Sequence, residues 1–195
     1  MTSRLPKLVA FDLDYTLWPL WMDTHVAGPL KRDESNPSNE IQDRYGEKIS
    51  FYRDVSSILH RLREAGIVVA ACSRTSAPRL ARNALSLLLV PPKHGDQKGI
   101  PTPAIEFFDQ QEIYPGSKIQ HFKQLHKKTG IPYGEMLFFD DEGRNREVES
   151  LGVTFILVSD GLHNQDLERG LNEWRRRHPM EVNRDASGDH LHDIA

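Results

Sequence analysis

The sequence has little cysteine and no long apolar run. Cys72 is the one cysteine among 195 residues, which excludes a disulfide framework within the chain and a zinc site made of several cysteines. The longest apolar run, residues 67–72, is far shorter than the roughly 20 residues that span a bilayer. The apolar stretch before Asp12 is too short for the core of a secretory signal peptide. We therefore expect a soluble protein of the cytoplasm or nucleus, with no membrane partner.

The sequence also has no large excess of one charge, because 25 lysines and arginines nearly balance 28 aspartates and glutamates and the formal net charge is −3. This balance gives no overall attraction to nucleic acid or to acidic membranes. The length suits a single domain. We expect that domain to cover residues 1–178 as a monomer, and the polar residues 179–195 to form a disordered tail.

Four short apolar segments have the length of buried strands, and each is followed by a polar residue. They cover residues 7–11, 67–72, 136–139 and 153–158. Apolar residues at helical spacing occur at residues 55–62, 77–89, 119–125, 144–151 and 167–174. Nearly continuous apolar strands that alternate with helices predict an α/β fold, a doubly wound parallel sheet in three layers. Residues 28–48 and 90–103 lack such a period, and we interpret them as irregular loops.

Polar residues that follow the predicted strands are the candidates for a site, because open parallel sheets bind ligands outside the carboxyl ends of their strands. They are Asp12 and Asp14 after the first strand, Ser73 and Arg74 after the second, and Asp140 and Asp141 after the third, with Lys118 opening the helix before that strand. Four carboxylates in a small space need a cation or raised pKa values. An all-oxygen donor set favours Mg²⁺, which keeps positions open for phosphate and water. The pattern indicates phosphoryl transfer.

The spacing Asp12-x-Asp14-x-Thr16 fits this chemistry. Residues two apart at a strand end project to the same side, so one carboxylate can attack phosphorus while the other reaches the leaving oxygen. The Thr16 hydroxyl can bond to the local backbone and fix the turn. The motif is weak alone and becomes strong in the company of the other strand-end residues.

The ordered motifs resemble those of the haloacid dehalogenase (HAD) superfamily and, within it, the eukaryotic magnesium-dependent phosphatases. The segments that carry the resemblance are residues 11–19, 21–26, 73–76, 112–119, 129–132 and 138–142, with Arg144 and Asn145. The resemblance implies a Mg²⁺-dependent phosphatase that forms a covalent aspartyl phosphate. Residues 28–48, 90–103 and those after Trp174 depart from the family pattern, which bears on the choice of substrate rather than on the chemistry.

The same resemblance implies roles for the four aspartates. Asp12 is the expected nucleophile and a direct Mg²⁺ ligand. Asp14 is the expected general acid and base, and its backbone carbonyl is expected to reach the metal. Of the last pair, Asp141 is the expected metal ligand and Asp140 has a supporting role.

The resemblance also implies how the phosphate is bound. Ser73, helped by Arg74, is expected to bind the phosphoryl oxygens, and Lys118 is expected to neutralise charge around Asp12.

The intervals between these motifs already hold the elements of the core, which leaves no room for a large cap domain over the site. An open site admits a phosphorylated small molecule or a phosphoprotein. The resembling family is associated with phosphotyrosine and with phosphorylated sugar adducts on protein amines.

Three further interpretations stay open. A receiver-like module accepts a phosphoryl group without turnover, but its paired acids come first in the chain, whereas here they come last. A hydrolytic dehalogenase would not need Asp14.

Trp18, Trp21 and His25 follow the nucleophile, and we expect the indoles to pack in the core, with contact to substrate as the alternative.

Overall fold

A computed structural model of the chain describes residues 4–32, 39–93, 95–96 and 98–179. Its strands are, in chain order, β1 (Leu8–Phe11), β2 (Lys31–Arg32), β3 (Ile41–Gln42), β4 (Lys48–Ile49), β5 (Val68–Ser73), β6 (Leu89–Val90), β7 (Thr102–Pro103), β8 (Gln110–Ile113), β9 (Met136–Asp140) and β10 (Thr154–Leu157). The α-helices are α1 (Met22–His25), α2 (Val55–Glu64), α3 (Pro78–Leu87), α4 (Lys118–Thr129) and α5 (Asn164–Arg177). Short 3₁₀ helices cover Ala104–Phe107, Tyr133–Glu135 and Gly143–Leu151.

Five strands form one parallel sheet in the order β10-β9-β1-β5-β8. The strand that comes first in the chain, β1, lies in the centre, with β5 and β8 on one side and β9 and β10 on the other. The winding therefore reverses between β1 and β9, and the crevice of a doubly wound sheet opens at such a switch point. Asp12 and Asp140 stand at the carboxyl ends of these two strands. The prediction of an α/β doubly wound sheet is confirmed.

Each face of the sheet buries its own apolar cluster, because side chains alternate along the strands. Val9 and Phe11 face the cluster formed with α2, α3 and α5. Leu8 and Ala10 face the cluster under α4 and the 3₁₀ helix Gly143–Leu151. All four side chains are fully buried, and burying a large apolar side chain stabilises the fold by about 1.5–3 kcal/mol. The three predicted layers are present, and the central strands hold the site residues on a packed platform.

The four predicted strands are β1, β5, β9 and β10, with ends that shift by no more than a residue. The sequence pattern misses β8, because Gln110 and Gln111 are polar and half-buried at the edge of the sheet, so this strand has no continuous apolar run. The helix predicted over residues 144–151 is instead the 3₁₀ helix Gly143–Leu151. Its position after β9 is as predicted, and its type is not.

The two segments interpreted as irregular loops contain short strands, so that interpretation is wrong in part. Strands β2, β3 and β4 form a small antiparallel sheet, and β6 pairs with β7. Strands of two residues have no periodicity that a sequence pattern can detect. Residues 33–38, 94 and 97 of these segments lie outside the described residues, and so do residues 180–195 of the expected tail.

The small sheet β2–β4 packs on the main core, because Ile41 and Ile49 are fully buried in the cluster that contains Val9 and Phe11. The Arg32 guanidinium donates to the carbonyl oxygen of Leu87 at the end of α3 (3.1 Å), and the Asn39 amide donates to the carbonyl of Leu89. These contacts fix the small sheet against the C-terminal end of α3 and the start of β6. Within the described ranges no separate domain covers Asp12, and no helix there has the length and apolarity to cross a membrane.

Candidate active site

The carboxyl ends of β1, β5 and β9 bring the predicted residues together around one pocket of about 310 Å³. The amide N–H of Asp12 donates to the carbonyl of Phe139 (2.9 Å), which continues the pairing of β1 with β9 and places Asp12 beside Asp140. The predicted residues that line the pocket are Asp12, Asp14, Ser73, Arg74, Lys118 and Asp141. Asp140 is fully buried behind them. The convergence predicted from the strand ends is therefore present.

Lys118, the first residue of α4, is the buried cation of the site. Its Nζ lies 2.5 Å from Oδ1 of Asp12 and 3.0 Å from Oδ2 of Asp140, and it also donates to the carbonyl of Cys72. Burial alone would lower the pKa of Lys118, but the two carboxylates outweigh burial and raise the pKa above its ordinary value. Lys118 is therefore charged, and one cation serves two buried carboxyl groups.

Three carboxyl groups form a cluster with the dimensions of a metal site. One oxygen each of Asp12, Asp140 and Asp141 lie within 4.8 Å of one another. Burial raises the pKa of Asp12 well above its usual range, with Asp140 adding to the rise and Lys118 opposing it. Burial and Asp140 raise the pKa of Asp141 to about 6. A divalent cation relieves such crowding, and an all-oxygen donor set fits Mg²⁺.

Asp14 stands apart from that cluster and is held by neutral donors. Its Oδ1 accepts a hydrogen bond from the indole N–H of Trp18 (2.7 Å), and its Oδ2 accepts from the amide of Met22 (3.1 Å). Burial raises the pKa of Asp14 to about 6, against the lowering effect of these two bonds. A carboxyl group with such a pKa can both give and take a proton near neutral pH.

Asn145 links the phosphate-binding side of the site to the carboxylates. Its Nδ2 donates to both oxygens of Asp140 (2.9 and 2.8 Å), and its Oδ1 accepts from the Arg74 guanidinium (3.1 Å). Because Asp140 also bonds Lys118, one chain of hydrogen bonds runs from Arg74 to Lys118. Asn145 is one of the pocket residues to which the sequence interpretation assigned no role. Its presence in a resembling segment was the only signal, because its contacts depend on how Gly143–Leu151 packs.

Ser73 ends β5 at the wall of the pocket. Its side chain is almost fully buried, and its Oγ accepts a hydrogen bond from the amide of Thr75 (3.3 Å). The Thr75 hydroxyl in turn accepts from the amide of Ala77 (3.3 Å). These bonds turn the chain from β5 into α3 and keep the Ser73 hydroxyl at the pocket.

The predicted role of the Thr16 hydroxyl is wrong. The hydroxyl is buried and has no hydrogen-bond partner among the described residues. The main chain of Thr16 fixes the turn instead, because its N–H donates to the carbonyl of Leu13 (3.2 Å) and its carbonyl accepts from Leu162 (2.9 Å). The methyl-bearing side chain therefore acts by packing.

The two indoles that follow Asp14 have opposite environments. Trp18 is fully buried and stacks on Phe51 at 6.2 Å between ring centroids, as predicted. Trp21 is 48% exposed and lines the pocket, so the prediction that it packs in the core is wrong. Its ring is braced by the edge contact with Tyr15 at 5.2 Å and by His25 at 5.5 Å. Trp21 is thus presented toward whatever enters the pocket.

A doubly wound sheet that gathers four aspartates, a serine and a buried lysine at its carboxyl edge defines the class of HAD-like phosphohydrolases. A model of the acid phosphatase family matches residues 4–177. A HAD-like hydrolase superfamily protein of Schizosaccharomyces pombe is 53% identical over 153 residues, 78% of this chain and 86% of that protein. Human magnesium-dependent phosphatase 1 is 42% identical over 175 residues, 89% of this chain and 90% of that protein. The chain belongs to the acid phosphatase family within the HAD superfamily.

Solved structures agree with the fold. The N-terminal part of BF1531 from Bacteroides fragilis, a phosphatase domain in complex with Mg, superposes with a TM-score of 0.52 at 15% identity, covering 91% of this chain and 41% of that chain. CbbY from Rhodobacter sphaeroides, in complex with phosphate, also gives 0.52 at 15% identity, covering 86% of this chain and 100% of that chain. At these identities the likeness shows a shared fold.

Proposed function

We propose that the chain hydrolyses phosphomonoesters with Mg²⁺ through a covalent phosphate on Asp12. The observation that carries this proposal is the contact of Asp12 with the buried Lys118, within the carboxylate cluster at the pocket. Magnesium dependence is also part of the name of the human relative. Asp14, beside Asp12 on the pocket wall, supplies the proton transfer that turnover needs.

The metal would be held by the carboxylates of Asp12 and Asp141 and by the backbone carbonyl of Asp14. Asp140 is the positioning residue, because its two oxygens are already engaged by Lys118 and Asn145. Mg²⁺, when bound, supplies positive charge to the phosphoryl oxygens and offsets the repulsion among the carboxylates.

In the first half of the reaction, a carboxylate oxygen of Asp12 attacks phosphorus. An Asp12 O–P bond forms while the P–O bond to the leaving group breaks, and the protonated Asp14 gives its proton to the leaving oxygen. Ser73 and Arg74 donate hydrogen bonds to the phosphoryl oxygens, and the Lys118 charge offsets the charge that builds up around Asp12.

In the second half, water removes the phosphate from Asp12. Asp14, now a carboxylate, takes a proton from a water molecule whose oxygen attacks phosphorus. The P–O bond to Asp12 breaks, its carboxylate is restored and inorganic phosphate leaves. A receiver-like phosphoacceptor would stop before this half, and membership of a phosphatase family favours turnover.

The substrate class we propose is phosphate carried by a protein, either on tyrosine or on a sugar adduct of an amine. The open pocket supports this class. Because no described domain covers Asp12, a phosphorylated side chain on the surface of a protein substrate can reach the pocket. The exposed ring of Trp21 at the pocket offers an apolar contact to a tyrosine ring.

The test is the hydrolysis of p-nitrophenyl phosphate with Mg²⁺ or with EDTA. Asp12→Asn removes the nucleophile and should lower kcat by roughly 10³-fold or more. Asp96→Asn, the same change on a surface turn outside the pocket, should leave kcat unchanged. Full activity of Asp12→Asn would contradict the proposal, and a phosphorylated protein that lasts for minutes without turnover would favour the phosphoacceptor.

A further inference from the structure

A second groove, of about 560 Å³, adjoins the catalytic pocket at the start of α3. We call it the Arg79 groove, and it is lined by Ser76, Ala77, Pro78, Arg79, Leu80 and Asn83. Its floor is mostly apolar, and none of its lining residues belongs to the catalytic pocket. None of the proposed catalytic steps uses a residue of this groove.

The groove and the pocket share a wall. The amide and the hydroxyl of Ser76 both donate to Oδ2 of Asp23 (3.0 and 2.9 Å), and Asp23 lines the catalytic pocket. The next residue toward the strand, Thr75, also lines that pocket. A ligand that fills the pocket can therefore continue into the groove without leaving the surface.

The groove carries the positive charge of Arg79, while Asp23 at the shared wall accepts hydrogen bonds from Ser76 and does not pair with Arg79. Arg79 is exposed and has no ion pair or hydrogen bond with any residue in the described ranges. Arg82, one turn further along α3, donates to the carbonyls of Pro78 (3.4 Å) and Ile113 (3.3 Å) rather than to an acid. Residues 74–82 contain three arginines, counting Arg74 in the catalytic pocket, and no aspartate or glutamate. The complement of this surface is an anionic one.

We propose that the Arg79 groove binds the polypeptide that flanks a phosphorylated residue, and that an acidic side chain of that polypeptide pairs with Arg79. This inference rests on the proposed phosphatase function and specifies its substrate as an acidic phosphoprotein segment. From Thr75 to Arg79 there are four Cα steps, at most about 15 Å. An extended peptide rises about 3.3 Å per residue, so the acidic residue lies within about four positions of the phosphorylated one.

The experiment compares pairs of phosphotyrosine peptides that carry Glu or Gln at one position, walked over four positions on either side of the phosphotyrosine. For the wild type, kcat/KM should favour Glu by roughly two- to fivefold at the best position, the range of exposed ion pairs, and the preference should shrink in high salt. Arg79→Gln should abolish the preference and Arg79→Glu should invert it.

The matched control is Arg176→Glu, which makes the same change in net charge. Arg176 is exposed and paired with Glu173 in the last turn of α5. Because α5 follows β10 and runs back along the sheet, that turn lies at the edge opposite the pocket. The control should keep the wild-type preference, which would show that a general change in charge does not account for the effect.

Binding gives a second readout that needs no turnover. Anisotropy of fluorescein-labelled peptides with a non-hydrolysable phosphonate in place of the phosphate should show the same dependence on Glu and on Arg79. Hydrolysis of all peptides with no effect of Glu would overturn the groove and leave the phosphatase proposal intact. Binding that depends on Glu and Arg79 without hydrolysis of any phosphate ester would support the groove and refute the phosphatase proposal.

Discussion

Replacement of Lys118 by methionine probes the buried charges most directly. The substitution keeps an unbranched side chain one heavy atom shorter and removes its charge, which leaves Asp12 and Asp140 without their common cation. At an effective dielectric constant of 20, opposite charges 3.0 Å apart attract by about 5.5 kcal/mol before desolvation is counted. Breaking a buried pair by removing one partner costs about 3–5 kcal/mol net, and we expect that loss of unfolding free energy in EDTA.

The assay is urea unfolding at pH 8, with thermal melting as a check. For a chain of this size the loss corresponds to a fall in Tm on the order of 10 °C. Lys123→Met changes an exposed lysine on the same helix and should cost less than about 0.5 kcal/mol. Mg²⁺ should raise the Tm of Lys118→Met more than that of the wild type, because the ion then replaces the charge that Lys118 supplied to Asp12 and Asp140. A loss below about 1 kcal/mol would refute the reasoning, since it would mean that the two carboxyl groups need no charge partner.

Three further predictions concern stability and specificity. Burial lowers the pKa of His121 to about 4, below the unfolded value near 6.5, so the unfolded chain holds the proton more tightly and stability falls as the pH falls. Through His121, the free energy of unfolding of the wild type should be about 2 kcal/mol smaller at pH 5 than at pH 7. Urea unfolding of His121→Gln should show a fall with pH that is smaller by this amount. The same dependence on pH in both proteins would contradict the prediction. Gly161→Ala should destabilise by about 2–4 kcal/mol, because Gly161 has a φ of +76° and a Cβ there would lie 2.5 Å from the Tyr52 ring. Gly46→Ala, with a φ of +88° and open space around it, should show the backbone cost alone, and equal losses for the two variants would exclude the steric effect. Trp21→Ala should lower kcat/KM more for aryl phosphates than for alkyl phosphates, by an additional factor of about two to ten, the range of one aromatic contact. Equal losses for the two kinds of substrate would show that Trp21 does not bind the aromatic ring of the substrate.

Several strands of the fold can be predicted from short segments of the sequence. β1 and β9 are covered on both faces, so each must be a continuous apolar run, and such runs are visible without a structure. The edge strand β8 needs no such run, because its Gln110 and Gln111 are only half-buried. The two-residue strands β2, β3 and β4 are set by pairing between distant residues, which leaves no local pattern to detect.

The sequence by itself indicated a magnesium-dependent phosphatase of the HAD superfamily, because Asp12-x-Asp14 after an apolar strand, then a serine, a lysine and a pair of aspartates, resemble the motifs of that family in kind and order. Only the tertiary structure decided which of these side chains meet. The order β9-β1-β5 puts Asp140 beside Asp12 and brings Lys118 between them. The exposure of Trp21 and the bonds of Asn145 were decided in the same way, because burial and hydrogen-bond partners depend on residues far away in the chain.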